Sequence, residues 1–223
     1  MKTRLRTILV PLVLAIMRAT PAAVATAQFD EGAVGSGDLI SYRTLERTDF
    51  RNKEPPPDTR TRGNYELAAL TCIYIRTDPN VSIHVGSVVE PDGDERYEGW
   101  LGHLRFEALM DRDCSWWSPR GRDPEYTLEH EQIHFAIREL AARRMNQVSQ
   151  ELLTSLHVTA DSEQEVVREI KARISELFDE QNAAALERNR NFDEDTSWGR
   201  NDERQREWWR EIEGELLETE AWR

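Results

Sequence analysis

Residues 126–137 read YTLEHEQIHFAI and begin a half of the chain that has helical periodicity. At about 100 degrees per residue, His130 and His134 lie one turn apart on the same helix face, so both imidazoles can reach one ion. Glu131 is turned about 100 degrees from His130 and can meet a water molecule at an open position of that ion. The pattern therefore predicts a zinc site in which Glu131 is the general base.

The apolar stripe of this helix sets the environment of the two histidines. Ile133, Ile137 and Leu140 fall on the arc that carries both imidazoles. Buried imidazoles need polar partners, which a metal ion, a carboxylate or a backbone carbonyl could each provide. The metal is favoured because the two histidines have the spacing of a zinc-binding pair. The polar positions opposite are Gln132, Glu139 and Arg143.

The second half of the chain continues with the helical period. Ser162 and Glu165 form a capping box at the start of the second helix. Residues 191–201, NFDEDTSWGRN, are predicted to form a loop because polar residues cluster before Gly199. The predicted helices cover about residues 127–149, 162–189 and 202–218.

The first half of the chain has β character. Residues 67–77 and 81–90 are rich in β-branched residues, and residues 99–110 supply a third alternating stretch. Strands followed by helices predict an α+β fold. We expect a small antiparallel sheet followed by a helical half that carries the His-Glu-x-x-His helix, all within one domain at residues 39–223.

The N-terminus predicts the compartment. Residues 1–27 combine a basic start, an apolar stretch and a small-residue cleavage site, which is typical of a secretory signal peptide. Residues 28–38 are glycine-rich and predicted to be flexible. We expect a periplasmic or secreted protein with no integral membrane segment in the mature chain, because no later stretch approaches about 20 apolar residues. In that compartment Cys72 and Cys114 can form one disulfide; the alternative is two buried thiols.

The charge of the chain limits its partners. The net charge is −13, and the predicted leader holds four basic and no acidic residues, so the remainder carries −17. Such a charge argues against nucleic acid as a partner.

Several stretches, in the same order, resemble the bacterial secreted zinc-dependent proteases of the DUF922 family. The resemblance covers about residues 45–208 and implies a zincin-like fold with a peptide or protein substrate. It also implies that His130 and His134 are zinc ligands and that Glu131 is the catalytic base. The stretches are LERTDFR with EPPP (45–57), LAALT (67–71), CSWW (114–117), LEHEQIHFAI (128–137) and FDEDTSWG followed by Gln205 and Trp208.

A catalytic zinc needs a third protein ligand, and here the chain departs from the family pattern. Where the family has a histidine before glycine, this chain has Trp198. Asp193 matches an aspartate of the same element and is our candidate ligand, with Asp195 and Glu187 as alternatives. The remaining histidines are not expected to bind the ion: His84, His103 and His157.

Three functions are compatible with these features. The first is a secreted zinc metallopeptidase that holds an extended substrate along a sheet edge, with residues 99–108 as the expected edge strand. The alternative is a catalytically inactive zincin-like binding or structural protein of the cell envelope. The third is an acidic helical interaction protein, for which Trp208 and Trp209 are the best evidence; their spacing is more typical of core packing.

Overall fold

The computed structural model describes residues 8–11, 37–54, 67–89, 94–119 and 124–223. Within these ranges the chain has three α-helices: α1 (Pro124–Ser155), α2 (Glu163–Asp195) and α3 (Asp202–Glu218). The strands are β1 (Ile8–Pro11), β2 (Leu39–Ser41), β3 (Ala69–Leu70), β4 (Ile73–Thr77), β5 (Ser82–Val89), β6 (Glu95–His103), β7 (Phe106–Asp111), β8 (Trp116–Trp117) and β9 (His157–Ala160). The predicted α+β class is confirmed.

The strands of the described residues form three small sheets, so the prediction of one sheet is wrong. Their orders are β1-β5-β6-β9, β2-β7-β4 and β3-β8. The stretch 99–110 was predicted to be a single strand, but it breaks at residues 104–105. There the Arg105 carbonyl accepts a hydrogen bond from Asp78 N at 2.7 Å, outside any strand pairing, and Leu104 is buried. The chain therefore leaves one sheet after His103 and enters another at Phe106.

The expected edge strand is also corrected. Strand β6 pairs antiparallel with β5 on one side and with β9 on the other. Residues 97–100 are therefore paired on both sides and offer no free edge to an extended peptide, whereas the end of β6 after Trp100 pairs with β5 alone among the described strands. The sequence could not indicate this, because β9 follows α1 by one residue and returns to β6 from more than 50 positions away.

The chain divides into two compact units, and each is described by itself. The first contains residues 77–106 and 145–180 and includes the β5-β6-β9 strands. Ile83, Val85 and Leu101 form its buried sheet face. A Cβ on Gly99 would lie 2.3 Å from the Val166 side chain, so this glycine lets α2 approach the sheet closely.

The second unit contains residues 30–76, 107–144 and 181–223. Its core includes the predicted stripe of α1, with Ile133, Ile137 and Leu140 at most 1% exposed. The polar face of this part of α1 is buried as well. Gln132 accepts a hydrogen bond from Leu45 N at 2.7 Å, and Arg143 pairs with Glu139 at 2.7 Å. The helix therefore packs on both faces, which its amphipathic pattern did not predict.

Helix α2 is longer than predicted and changes the setting of Asp193. Residues 191–195 were predicted to be loop, but the helix continues through Asp195. Phe192 is fully buried there, and this apolar contact stabilises a polar last turn. The chain leaves the helix through Ser197, Trp198 and Gly199, which all have positive φ. Asp193 consequently lies on a helix and not on a loop.

The predicted disulfide is present between Cys72 and Cys114. The residues are 42 positions apart, and closing a loop of that size restricts the unfolded chain. We expect the double substitution Cys72→Ser with Cys114→Ser to lower the free energy of unfolding by about 3 to 4 kcal/mol. Urea unfolding of both proteins measures this difference, and the wild type with its disulfide reduced is the matched control. Equal unfolding midpoints for the oxidised wild type and the double variant would contradict the prediction.

Other predictions fall largely outside the described residues. Of the predicted leader (1–27) and flexible segment (28–38), the structure describes only residues 8–11, as β1, and residues 37–38. Among the described helices, none has the length and apolar character needed to cross a membrane.

Candidate metal centre

Three side chains of the second unit bring one potential ligand atom each to a common point. The Nε2 atoms of His130 and His134 are 3.3 Å apart. The Oδ1 atom of Asp193 is 3.4 Å from the first and 3.2 Å from the second. The histidines come from successive turns of α1 and the aspartate from the last turn of α2. These residues form a group that could hold a metal ion.

The dimensions of this triangle fit a tetrahedral ion. Ligand atoms that lie about 2.0 to 2.1 Å from a tetrahedral zinc are about 3.3 to 3.4 Å from one another. The three measured edges, 3.2 to 3.4 Å, agree with that value. Two imidazoles and one carboxylate are also donors that zinc prefers, whereas calcium and magnesium take oxygen ligands almost exclusively. Three protein ligands would leave a fourth position open.

The outward nitrogen of His130 is fixed by a buried amide. Its Nδ1 lies 3.0 Å from Oε1 of Gln205, a fully buried residue at the start of α3. The Gln205 amide nitrogen donates to the Tyr126 carbonyl and to Glu129, so the amide oxygen must face the histidine. His130 Nδ1 therefore carries the proton, which leaves the Nε2 lone pair for a metal.

His134 has the same arrangement with a different amide. Its Nδ1 lies 2.6 Å from Oδ1 of Asn189, and the Asn189 amide nitrogen donates to the Ala185 carbonyl at 2.9 Å. Asn189 is one helical turn before Asp193, so one face of α2 supplies both a ligand and the support for a second ligand. Both imidazoles are held with Nε2 toward the common point.

We expect Asn189→Ala to weaken zinc binding by about 10- to 100-fold, because it removes the partner that orients His134. Asn191→Ala is the matched control, since Asn191 is exposed on the same helix. Zinc dissociation constants measured by competition with a chromogenic chelator test this. Equal constants for the two variants would show that the Asn189 hydrogen bond has no role in metal binding.

The electrostatics of the group favour a bound cation. Burial by itself would lower the pKa of His134, but Asp193 outweighs it and, with Glu131 and Asn189, raises that pKa to about 9. Burial would likewise raise the pKa of Asp193, but the neighbouring imidazoles of His130 and His134 hold it well below its usual range. Without a metal the Asp193 carboxylate is ionised and His134 is protonated at neutral pH, so a metal ion would have to displace the proton of His134.

Glu131 is buried and held by a single residue of the neighbouring chain segment. Its Oε2 accepts hydrogen bonds from Thr71 N at 3.0 Å and from Thr71 Oγ1 at 2.8 Å. Thr71 precedes Cys72, so the disulfide anchors the segment that positions this carboxylate. Both hydrogen bonds go to one oxygen, and Oε1 has no partner among the described residues.

An open pocket of about 280 Å³ adjoins the group. Glu131, His134 and Asp193 are among its lining residues, so a ligand in the pocket can reach both the predicted base and two of the three side chains that could hold a metal ion. The remaining lining residues are Leu67, Ala69, Leu70, Thr71, Ile73, Arg138, Leu186, Asn189, Arg190 and Trp198.

The loop after α2 covers the metal-binding group without contributing a ligand to it. A Cβ on Gly199 would lie 3.4 Å from Nδ1 of His130, so this glycine packs against the imidazole. Trp198 lines the pocket and is 41% exposed. Phe192 packs against both imidazoles, with ring centroids 4.5 Å from His130 and 5.0 Å from His134.

The other candidate residues have different contacts. Asp195 pairs with Arg204 and accepts a hydrogen bond from the Trp208 indole, and Glu187 is exposed. In the first unit, Trp100 stacks between His84 and His157. Nε2 of His103 lies 3.9 Å from a carboxylate oxygen of Asp78.

Sequence reasoning missed four residues of the site. Gln205 was noted in the family resemblance but was given no role. Asn189 could have been found from its spacing of four residues before Asp193 on a helix, had the helix been predicted to continue that far. Thr71 and Arg138 carry no signal of their own. No family model, curated protein or solved structure matches the chain. The DUF922 resemblance therefore stays a prediction.

Proposed function

We propose that this protein is an extracytoplasmic zinc-dependent metallopeptidase. The observation that supports this most is the match of the His130, His134 and Asp193 ligand atoms to one face of a zinc tetrahedron, with Glu131 beside the same pocket. The disulfide is compatible with a periplasmic or secreted location. The zincin-like fold and membership of the DUF922 family belong to the same proposal.

The residues of the chain divide the chemistry between them. His130, His134 and Asp193 would hold the zinc, which when bound supplies Lewis acidity and lowers the pKa of a water molecule to about 7. Glu131 accepts the proton of the attacking water and later gives it to the leaving amine. Thr71 orients Glu131 through its two hydrogen bonds, and the pocket beside these residues accommodates the peptide.

Zinc content and hydrolysis together test the proposal. After dialysis at neutral pH without chelator, we expect close to one zinc per chain; less than about one per ten chains would contradict the zinc site. The loaded protein should cleave casein or a mixed peptide library, lose this activity with a chelator and regain it with zinc. Stoichiometric zinc without any cleavage would favour the alternative, an inactive zincin-like binding or structural protein.

A further inference from the structure

Arg138 has no acidic partner among the residues that the structure describes, whereas three other arginines on α1 and α2 have such partners. On α1, Arg143 pairs with Glu139 and Arg144 with Glu215, and on α2 Arg188 pairs with Glu215. Arg138 donates to the neutral amide of Asn182 at 2.6 Å and forms no ion pair with any residue that the structure describes. Burial lowers its pKa, and no carboxylate offsets this effect.

A partly buried guanidinium without a counter-ion is unfavourable unless something supplies one. Arg138 lines the same pocket as Glu131, His134 and Asp193, and the exposed Arg190 lies at this pocket as well. A divalent ion would balance the charges of Glu131 and Asp193, so the two arginines would leave the pocket positive. In a chain with a net charge of −13, this is a local reversal of sign.

The position of Arg138 relates the pocket to the metal-binding group. It follows His134 by four residues on α1, which places it one turn, or about 6 Å, further along the helix. An extended peptide advances about 3.3 Å per residue. A group bound at Arg138 would therefore belong to a residue one or two positions from the bond that lies at the metal.

We propose that Arg138 binds a carboxylate of the substrate and makes the enzyme selective for peptides that carry one within two residues of the scissile bond. The fork of the guanidinium suits bidentate pairing with a carboxylate. The carboxylate is either an Asp or Glu side chain or the C-terminus of the peptide. The inference rests on the proposed peptidase function for its substrate class, while carboxylate binding at Arg138 can be measured without turnover.

Binding of four blocked peptides to zinc-loaded Glu131→Gln protein tests the proposal by calorimetric titration. Acetyl-Ala-Ala-Glu-Ala-amide is compared with its Gln counterpart, and acetyl-Ala-Ala-Ala with a free C-terminus is compared with its amide. We expect the carboxylate form of at least one pair to bind about 10- to 100-fold more tightly, and the pair that shows this identifies the source. Equal affinities within both pairs would by themselves overturn the proposal.

Variants then test whether Arg138 is responsible. Adding Arg138→Met should remove the preference, and Arg138→Lys should keep only part of it, because lysine retains the charge but not the fork. Arg144→Gln is the matched control for loss of one positive charge on the same helix and should keep the full preference. An unchanged preference in the Arg138→Met protein, with an unchanged melting temperature, would also overturn the proposal.

The same titrations on metal-free protein separate this proposal from the proposed function. A carboxylate preference that persists without zinc, in a chain that fails to retain zinc on dialysis, would support the Arg138 site and contradict the metallopeptidase. Stoichiometric zinc with no carboxylate preference would contradict the Arg138 site and support the metallopeptidase.

Discussion

Glu131→Gln should lower the rate of peptide hydrolysis by about 100- to 10,000-fold and leave zinc binding intact. Glutamine has nearly the same shape and can keep its amide oxygen toward Thr71, but it cannot accept the proton of the attacking water. The substitution therefore removes the base without removing a metal ligand. Initial rates on a peptide substrate, together with zinc content by mass spectrometry, measure both effects.

A second glutamate on the same helix provides the control. Glu125 is exposed in the first turn of α1, and Glu125→Gln changes the net charge by the same amount. We expect this variant to retain wild-type activity within about twofold, as surface substitutions usually do. Hydrolysis that is unchanged in the Glu131→Gln protein would refute the proposed mechanism. Loss of zinc along with activity would point to a ligand or folding role for Glu131.

The second large effect is expected for Asp193→Ala. It removes the only carboxylate oxygen of the triangle, and a two-histidine site retains neither the charge nor the geometry of a catalytic zinc centre. We expect the zinc dissociation constant to rise by more than about 100-fold, beyond the effect of losing an orienting partner such as Asn189. Competition with a chelator of known affinity gives the constant for each protein.

Trp198→Ala is the informative comparison for Asp193. Trp198 occupies the position at which the resembled family has a histidine, yet its ring is 41% exposed and provides no metal-binding atom. Its removal should change the zinc dissociation constant by less than about threefold. A loss of zinc in the Trp198→Ala protein that equals the loss in Asp193→Ala would show that the loop, and not the carboxylate, completes the site.

The parts of the fold that depend on local sequence were predictable. Helix α3 has its predicted bounds, 202–218, because the Asn201 side chain accepts a hydrogen bond from Arg204 N and caps it. Glu165 N donates to Ser162, as the capping box predicts, and α2 begins at Glu163. These signals lie within four residues of the helix ends and depend on no tertiary contact.

The parts that depend on distant pairing were not predictable. Strand β9 exists because β6 offers it a free edge, and the polar face of α1 is buried because Leu45 N binds Gln132. Neither fact has a periodic signal. The end of α2 is similar, since packing of Phe192 against the two histidines extends the helix through Asp195.

The candidate site divides in the same way. The placement of His130, Glu131 and His134 on one helix was predictable from their spacing, and their roles stay a prediction. Asp193 was proposed only through the family resemblance, and the α2 turn that brings its Oδ1 to 3.2 Å from His134 lay in a predicted loop. Arg138 could not be identified as a binding residue before its lack of an acidic partner was visible.

A crystal structure of the zinc-loaded protein, with anomalous diffraction recorded on both sides of the zinc absorption edge, tests the central claim most directly. We predict one anomalous peak about 2.0 to 2.1 Å from Nε2 of His130, Nε2 of His134 and a carboxylate oxygen of Asp193, with a water molecule as fourth ligand. A fully occupied zinc that lies elsewhere, or that is not bound by Asp193, would contradict the account.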